Sequence, residues 1–534
     1  MRPRTLYQMQ KGKPDLAMEG YLAINQDQLF HDSEFLQEMA LMLFHHGISR
    51  DQKEYVRLLT LIGAGFSMDE RTLPILEQGL QSKLPLLQLV ALHQIVRLDC
   101  KQTDQLIEKR LGTCHPLVRL EGALILSRKK SPLAFSVVEG LRHQLPPKLC
   151  VVMPQMYALM GDAKSKKVLH QLLQHPQETV RAESIIQVAK HGHDDLLPHL
   201  RKLSYNHGPF LQEALAYALG ELKDEQSIPA LRHLSHSAQP EVRLSALTSL
   251  HKLGNDDAKN PIIQAARKGD LFAISALGDV PGSEETLMQL TTENPDHQIR
   301  INAALSLLKR KDQRVAPYIY VLLEMDSQFR CLRPIRSGAG TLHAWKTVVT
   351  NPEDADKTKE ISLRLREEIL HLSFLFPEPL FLTIAENILV SGQGDLLPET
   401  TKLLASLQTD DAILLLNKYR HKIGDPLVRN WCTLALYNIQ TENSYEGVLK
   451  EWVLQESQVP LMNLRALIPQ YEQSSMDRDD TISLTEASQL YVAILEAFLQ
   501  KQEECALETL IEVIRNGNPL NRFVLAGLLL RAAQ

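Results

Sequence analysis

The 534-residue chain is poor in aromatic side chains, with Phe, Trp and Tyr together at 5%. That scarcity argues against packed sheets, whose cores draw on aromatic and β-branched residues. Cysteine is also sparse. Cys100, Cys114, Cys150, Cys331, Cys432 and Cys505 are scattered without a C-x-x-C pair, a pattern that reads as reduced, mostly structural thiols in a cytoplasmic protein. Neither charge dominates: 58 Lys and Arg face 64 Asp and Glu, for a net charge of −6. A global nucleic-acid footprint is therefore absent. No run of 18 apolar residues occurs, so no membrane span is expected, and no apolar stretch after Met1-Arg2-Pro3-Arg4 resembles a signal peptide. The expected location is cytoplasmic. Motifs of catalysis are missing too. There is no P-loop, H-E-x-x-H or G-x-S-x-G, and Gly63-Ala64-Gly65 and Gly338-Ala339-Gly340 lack the third glycine and preceding strand of a dinucleotide loop. No catalytic residue, cofactor or metal is expected.

What is present is folded-protein composition, 44% hydrophobic and 23% charged, and an internal repeat. A Val-Arg or Ile-Arg pair followed by a Leu/Ala-rich run recurs with Arg57, Arg119, Arg181, Arg243, Arg300 and Arg429. The first four arginines lie at twice a 31-residue spacing, with degenerate copies at Leu87-Gln88, Leu149-Cys150 and Leu211-Gln212. Proline precedes the anchor by three residues at Pro85, Pro116, Pro147, Pro209, Pro240 and Pro426. Proline suits a first helical turn, where its missing N–H is not needed, so each anchor opens a helix. A second proline column, Pro74, Pro198 and Pro229, opens the other helix of the unit. Residues 209–234 read as one helix closed by Gly220, a polar turn from Glu221 to Gln226, and a second helix from Ser227. The repeating unit is a helical hairpin. Such a unit buries its apolar stripe only by stacking on its neighbours.

The strings at 211–234 and 241–254 resemble the consensus of short bacterial HEAT-like repeats, first described in phycobilin lyases. Good matches run from about 50 to 310, with one more at 425–440. The resemblance implies an all-α fold, an α-solenoid of stacked hairpins of HEAT/armadillo kind, and leaves function open because many activities share the scaffold. It also implies that the anchor arginines form a structural ladder to acidic or carbonyl groups of adjacent units. Di-iron hydroxylases of this fold bind metal through His-Glu pairs, and this chain has no His-Glu dipeptide. His191-Gly192-His193-Asp194-Asp195, near His199, carries residue types that ligate metals but reads as an inter-helix turn.

The organisation expected is a helical cap at 1–50, a regular array at 51–325, an inserted loop at 326–358, and diverged helical repeats at 359–534. Within the array one unit near 260–285 is short, at Gly278, Pro281 and Gly282. Residues 472–482 read as a polar linker.

Two basic features are candidate partner-binding sites. One is a column nine residues past the anchor: Arg97, Arg128, Lys190, Lys252 and Lys309. Its plain reading is interaction with helix C-terminal carbonyls; its functional reading is a positive stripe along one edge. The other is the basic span Arg300, Lys309, Arg310, Lys311, Arg314, Arg330, Arg333 and Arg336, where the last three, spaced by three, would share one face of a helix. The function expected is a non-enzymatic scaffold presenting a concave face of second helices to another protein or peptide with an acidic segment, monomeric outside its complexes. Alternatives are a nucleic-acid-binding protein using a basic stripe, similar in architecture to HEAT-like DNA glycosylases, and a lyase or chaperone acting on a client protein.

Overall fold

The computed structural model describes residues 2–25, 31–98, 100, 102–142, 144–203, 208–324, 330–349, 355–439, 444–461, 486–501 and 504–534. Among these are thirty α-helices and one antiparallel two-stranded hairpin. The polar segment 472–482 and the arginine-flanking residues 325–329 lie outside the described residues. The chain divides into two compact units, one of residues 1–122 with 389–534, the other of residues 123–388.

In the first unit, two short helices lead into α1 (Ser33–Gly47) and α2 (Glu54–Phe66). Asp32 caps α1 by accepting from the Phe35 N–H. Helix α2 is buried on nearly every side from Val56 to Gly65, as a helix apolar all round must be.

In the second unit the chain alternates first and second helices. The second helices from residue 178 to 309 are α3 (Glu178–Lys190), α4 (Pro209–Glu221), α5 (Pro240–Lys252), α6 (Leu271–Leu277) and α7 (His297–Lys309). Proline opens α4 and α5 at the first helical position, as the sequence predicts. Leu215 and Leu219 are wholly buried, each contributing roughly 1.5–3 kcal/mol by leaving water. Neighbouring second helices approach so closely that serines of one donate to backbone carbonyls of the one before. Ser245 Oγ reaches the Glu213 carbonyl at 3.1 Å, Ser249 Oγ reaches that of Ala216 at 2.7 Å, and Ser306 Oγ reaches that of Ile274 at 3.0 Å.

The ends of these helices correct one expectation. Gly220 is not the terminating glycine. Helix α4 continues to Glu221, and Lys223 takes the left-handed conformation at φ 52°, while the Asp224 N–H bonds to the Leu219 carbonyl at 3.0 Å. The same closure recurs at Lys130, Gly192, Gly254 and Lys311, a Schellman pattern in which lysine stands where glycine is common. Gly220 serves packing instead: a Cβ there would collide with Ser249 of α5.

Helix α6 has seven residues where its neighbours α3, α4, α5 and α7 have thirteen. After α7 and one further first helix come strands β1 (Arg330–Arg336) and β2 (His343–Val349), paired with Pro334 opposite Trp345 and Arg336 opposite His343. Helix α8 (Ala355–Ser373) packs against β1.

The chain ends with α9 (Asn521–Ala532), which packs on α1 and α2 inside the first unit. A Cβ at Gly527 would strike the Gly63 carbonyl, and one at Gly63 would strike the Phe523 carbonyl. Two glycines thus let α2 and α9 touch backbone to backbone.

Candidate interaction surface

Three polar side chains on the second helices of the second unit, Glu213, Gln298 and Asn302, hold the hairpin. Glu213 on α4 is only 2% exposed. Its carboxylate accepts from the Ser337 hydroxyl, from the Ala339 N–H at 3.1 Å, and from the Thr341 hydroxyl and N–H at 2.5 and 3.4 Å. A buried carboxylate is tolerable only with such a set of donors. Asn302 on α7 grips the Trp345 backbone at both ends, accepting from its N–H and donating to its carbonyl, each at 2.8 Å. Gln298, one turn earlier, accepts from the Thr347 N–H at 2.8 Å.

Pro334 faces Trp345 at no loss, because the Trp345 N–H and carbonyl point to Asn302 rather than into the ladder. The turn is closed by Ser337, whose N–H bonds to the Leu342 carbonyl at 3.1 Å, and by Gly340 at φ +80°. Leu332, Leu342 and Ala344 are buried. Sequence reading missed this hairpin, although the signal was present. Trp345, Thr347, Val348 and Val349 are strand formers behind a Ser-Gly-Ala-Gly turn.

Between α5, α6 and the hairpin turn lies a cleft of about 150 Å³, lined by Tyr217, Thr248, Phe272, Asp279, Lys309 and His343 among others. Burial, then the nearby Glu221 carboxylate, pushes the Tyr217 phenol up to about 12. His343 is held below the ordinary histidine value by partial burial and then by the charges of Arg336, Lys190 and Lys309.

Helical spacing does not apply to Arg330, Arg333 and Arg336. They lie in β1, where side chains alternate, so a spacing of three sends Arg333 and Arg336 to opposite faces. The rest of the basic span is largely neutralised. Lys309 pairs with Asp279 at 2.7 Å, Arg310 with Glu284 at 2.7 Å, and Arg314 with Asp312 and Glu285 at 2.7 and 3.0 Å. Lys311 adopts the left-handed turn after α7. In the cationic column, Lys252 pairs with Glu221, and Arg97 sits 4.6 Å over the Phe66 ring. Arg128 and Lys190 are exposed.

Three of the anchor arginines, Arg181, Arg243 and Arg300, act locally rather than across units. Arg181 donates to the His175 carbonyl at 2.7 Å, Arg243 to that of Ser237 at 2.7 Å, and Arg300 to that of Asn294 at 2.9 Å. Each acceptor lies in the turn before the arginine's own helix, so the arginine locks that turn. Arg57, Arg119 and Arg429 show no such bond among the described residues. Ties between successive units come from other positions: Arg201 grips Asp224 at 2.6 and 2.8 Å, and Lys166 reaches Asp195 at 3.0 Å.

The 191–195 histidines form a turn. The buried His193 ring donates from Nε2 to the Ala158 carbonyl at 3.0 Å, Gly192 has φ +63°, and Asp194 opens a short 3₁₀ helix. Among the described residues no three His, Cys, Asp or Glu side chains converge to hold a metal, and no helix is long and apolar enough to cross a membrane.

The chain is similar to the complex of CpcE and CpcF of phycocyanin lyase from Nostoc sp. PCC7120, at 17% identity over 39% of this chain and 87% of that one, with a TM-score of 0.31. It is also similar to the karyopherin Kap121p, solved bound to the extreme C-terminus of the protein phosphatase Cdc14p, at 12% identity over 96% of this chain and a TM-score of 0.40. The chain spans 63% of the karyopherin's length. No curated protein sequence matches it. Residues 209–272, which include α4 and α5, match the family model for HEAT repeats. Residues 209–272 thus carry HEAT repeats, and the stacked two-helix units around them give the chain an all-α solenoid fold.

Proposed function

We propose that this protein is a non-catalytic scaffold that binds another protein through the second-helix face of residues 178–309. One observation supports this reading most. That face already holds a length of extended polypeptide, the hairpin, through side-chain bonds from Glu213, Gln298 and Asn302 to its turn and backbone. These are contacts of recognition rather than of helix stacking, and extended repeat surfaces commonly serve this purpose. A partner segment rich in acidic residues suits the exposed Lys190 and Arg336. The cytoplasm is the compartment this reading assumes.

The test is affinity capture from the source cells by the intact protein and by Thr248→Arg, which adds bulk to the cleft wall without removing a cation. Unchanged circular-dichroism melting with loss of a specific partner is the expected result. Identical captured proteins for both forms would overturn the reading.

A further inference from the structure

Outside the hairpin and its cleft, two histidines on successive first helices meet ring against ring. His170 lies on the helix Ala163–Leu172 and His199 on the helix Leu197–Leu203. Their ring centroids are 3.9 Å apart, with the planes at 61°. The approach is in register. Lys166, one turn before His170, reaches Asp195, four residues before His199, at 3.0 Å. An ion pair thus ties the two units at one turn, and the histidines occupy the turn after it. His170 Nε2 and His199 Nδ1 are both shielded from solvent, and neither has a hydrogen-bond partner among the described residues. A buried polar atom without a partner is costly and uncommon. Two of them on touching rings can be satisfied by one shared ligand. Burial, then the nearby His170 and the charge of Lys202, holds His199 below the ordinary histidine value, which favours the neutral imidazole, the commonest form of protein metal ligand.

We infer that His170 and His199 bind one divalent transition-metal ion of the zinc, nickel or copper kind through His170 Nε2 and His199 Nδ1, clipping two successive first helices together. Imidazole suits these ions, whereas magnesium and calcium take oxygen ligands. No third His, Cys, Asp or Glu among the described residues joins the pair, so water completes the coordination shell and the ion is exchangeable. Two Zn–N bonds of about 2.1 Å at a tetrahedral angle set the ring centroids about 5 Å apart. The rings therefore part by about 1 Å on binding. Both residues are half-buried, which gives the ion a route from solvent and the water ligands room. This inference does not rest on the scaffold reading above: the ion ties first helices, whereas that reading concerns the second helices.

Isothermal titration of the intact, untagged protein would use zinc, nickel and magnesium chlorides. The expected result is saturable binding of one zinc or nickel ion per chain and none of magnesium, weakened at least tenfold in His170→Gln and in His199→Asn. Without metal both variants should melt as the wild type does. Zinc should raise the melting temperature of the wild type alone, because a ligand of the folded state stabilises it. The copper form should show electron-spin coupling to two imidazole nitrogens, one of which disappears in each variant. The two variants lie on different helices, so misfolding of one would not hide the answer. His191→Ala, which removes a ring 6.3 Å from that of His193, should bind as the wild type does, separating this pair from the 191–193 turn. Absence of saturable binding by the wild type, equal binding by both pair variants, or loss of binding in His191→Ala overturns the proposal.

Discussion

At the scale of single residues, the informative side chains are buried polar ones. Glu213 is a carboxylate in an Ala/Leu helix, and its only recompense for leaving water is the hairpin turn. Glu213→Ala should leave the helical stack folded and free the turn, because unpaired donors there cost about 1–3 kcal/mol and the turn can regain water by lifting off. Hydrogen exchange of the 337–342 amides should quicken while that of α4 and α5 holds. Asp224 makes a second case. Its carboxyl lies below the ordinary 3.8, chiefly because Arg201 donates to it, with Ser227 assisting against the effect of burial. A depressed carboxylate contributes stability that is whole above its unfolded pKa and fades as pH falls through its folded one. The difference in unfolding free energy between wild type and Asp224→Asn should thus be constant from pH 7 to 5 and shrink below about pH 4. None of this was legible in the sequence. A Glu or Asp in a helical repeat reads as surface, and the pattern does not name the donor that makes burial tolerable.

At the scale of elements, sequence reading succeeds where the signal is local. Prolines mark helix starts because their fixed φ fits the first turn, and Pro209 and Pro240 do so here. It fails where a neighbour decides. Gly220 looks like a helix stop, yet it is the contact point between α4 and α5. Gly220→Val should lower stability by about 1–3 kcal/mol through overpacking, read as an earlier urea midpoint, whereas Lys223→Gly, at φ 52°, should be nearly neutral because glycine adopts that conformation freely. Arg330, Arg333 and Arg336 show the same limit. Spacing by three is a stripe on a helix and an alternation on a strand. Which applies depends on β2 and on the Asn302 and Gln298 anchors, not on the arginines themselves.

At the scale of the whole molecule, the first and last helices share one core. Helix α9 lies on α1 and α2, His46 stacks on Phe523 at 6.4 Å, and the Gln37 amide donates to the Ala533 carbonyl. Removing residues 521–534 should therefore expose α1 and α2, lower the melting temperature, and open residues 33–66 to limited proteolysis while residues 178–309 stay protected. Equal protection of both segments would contradict the packing described. The sequence by itself determined the helical hairpins and their stacking in the HEAT manner, because apolar patterning and helix starts are written within a few tens of residues. Only the tertiary structure decided that Glu213 closes the hairpin turn 128 residues away at Thr341 and that the chain's last helix covers its first ones, 496 residues apart at Gln37 and Ala533. The physical reason is that a repeat pattern specifies which faces are apolar and which groups must find a partner. The partner is chosen by what the rest of the chain brings into reach.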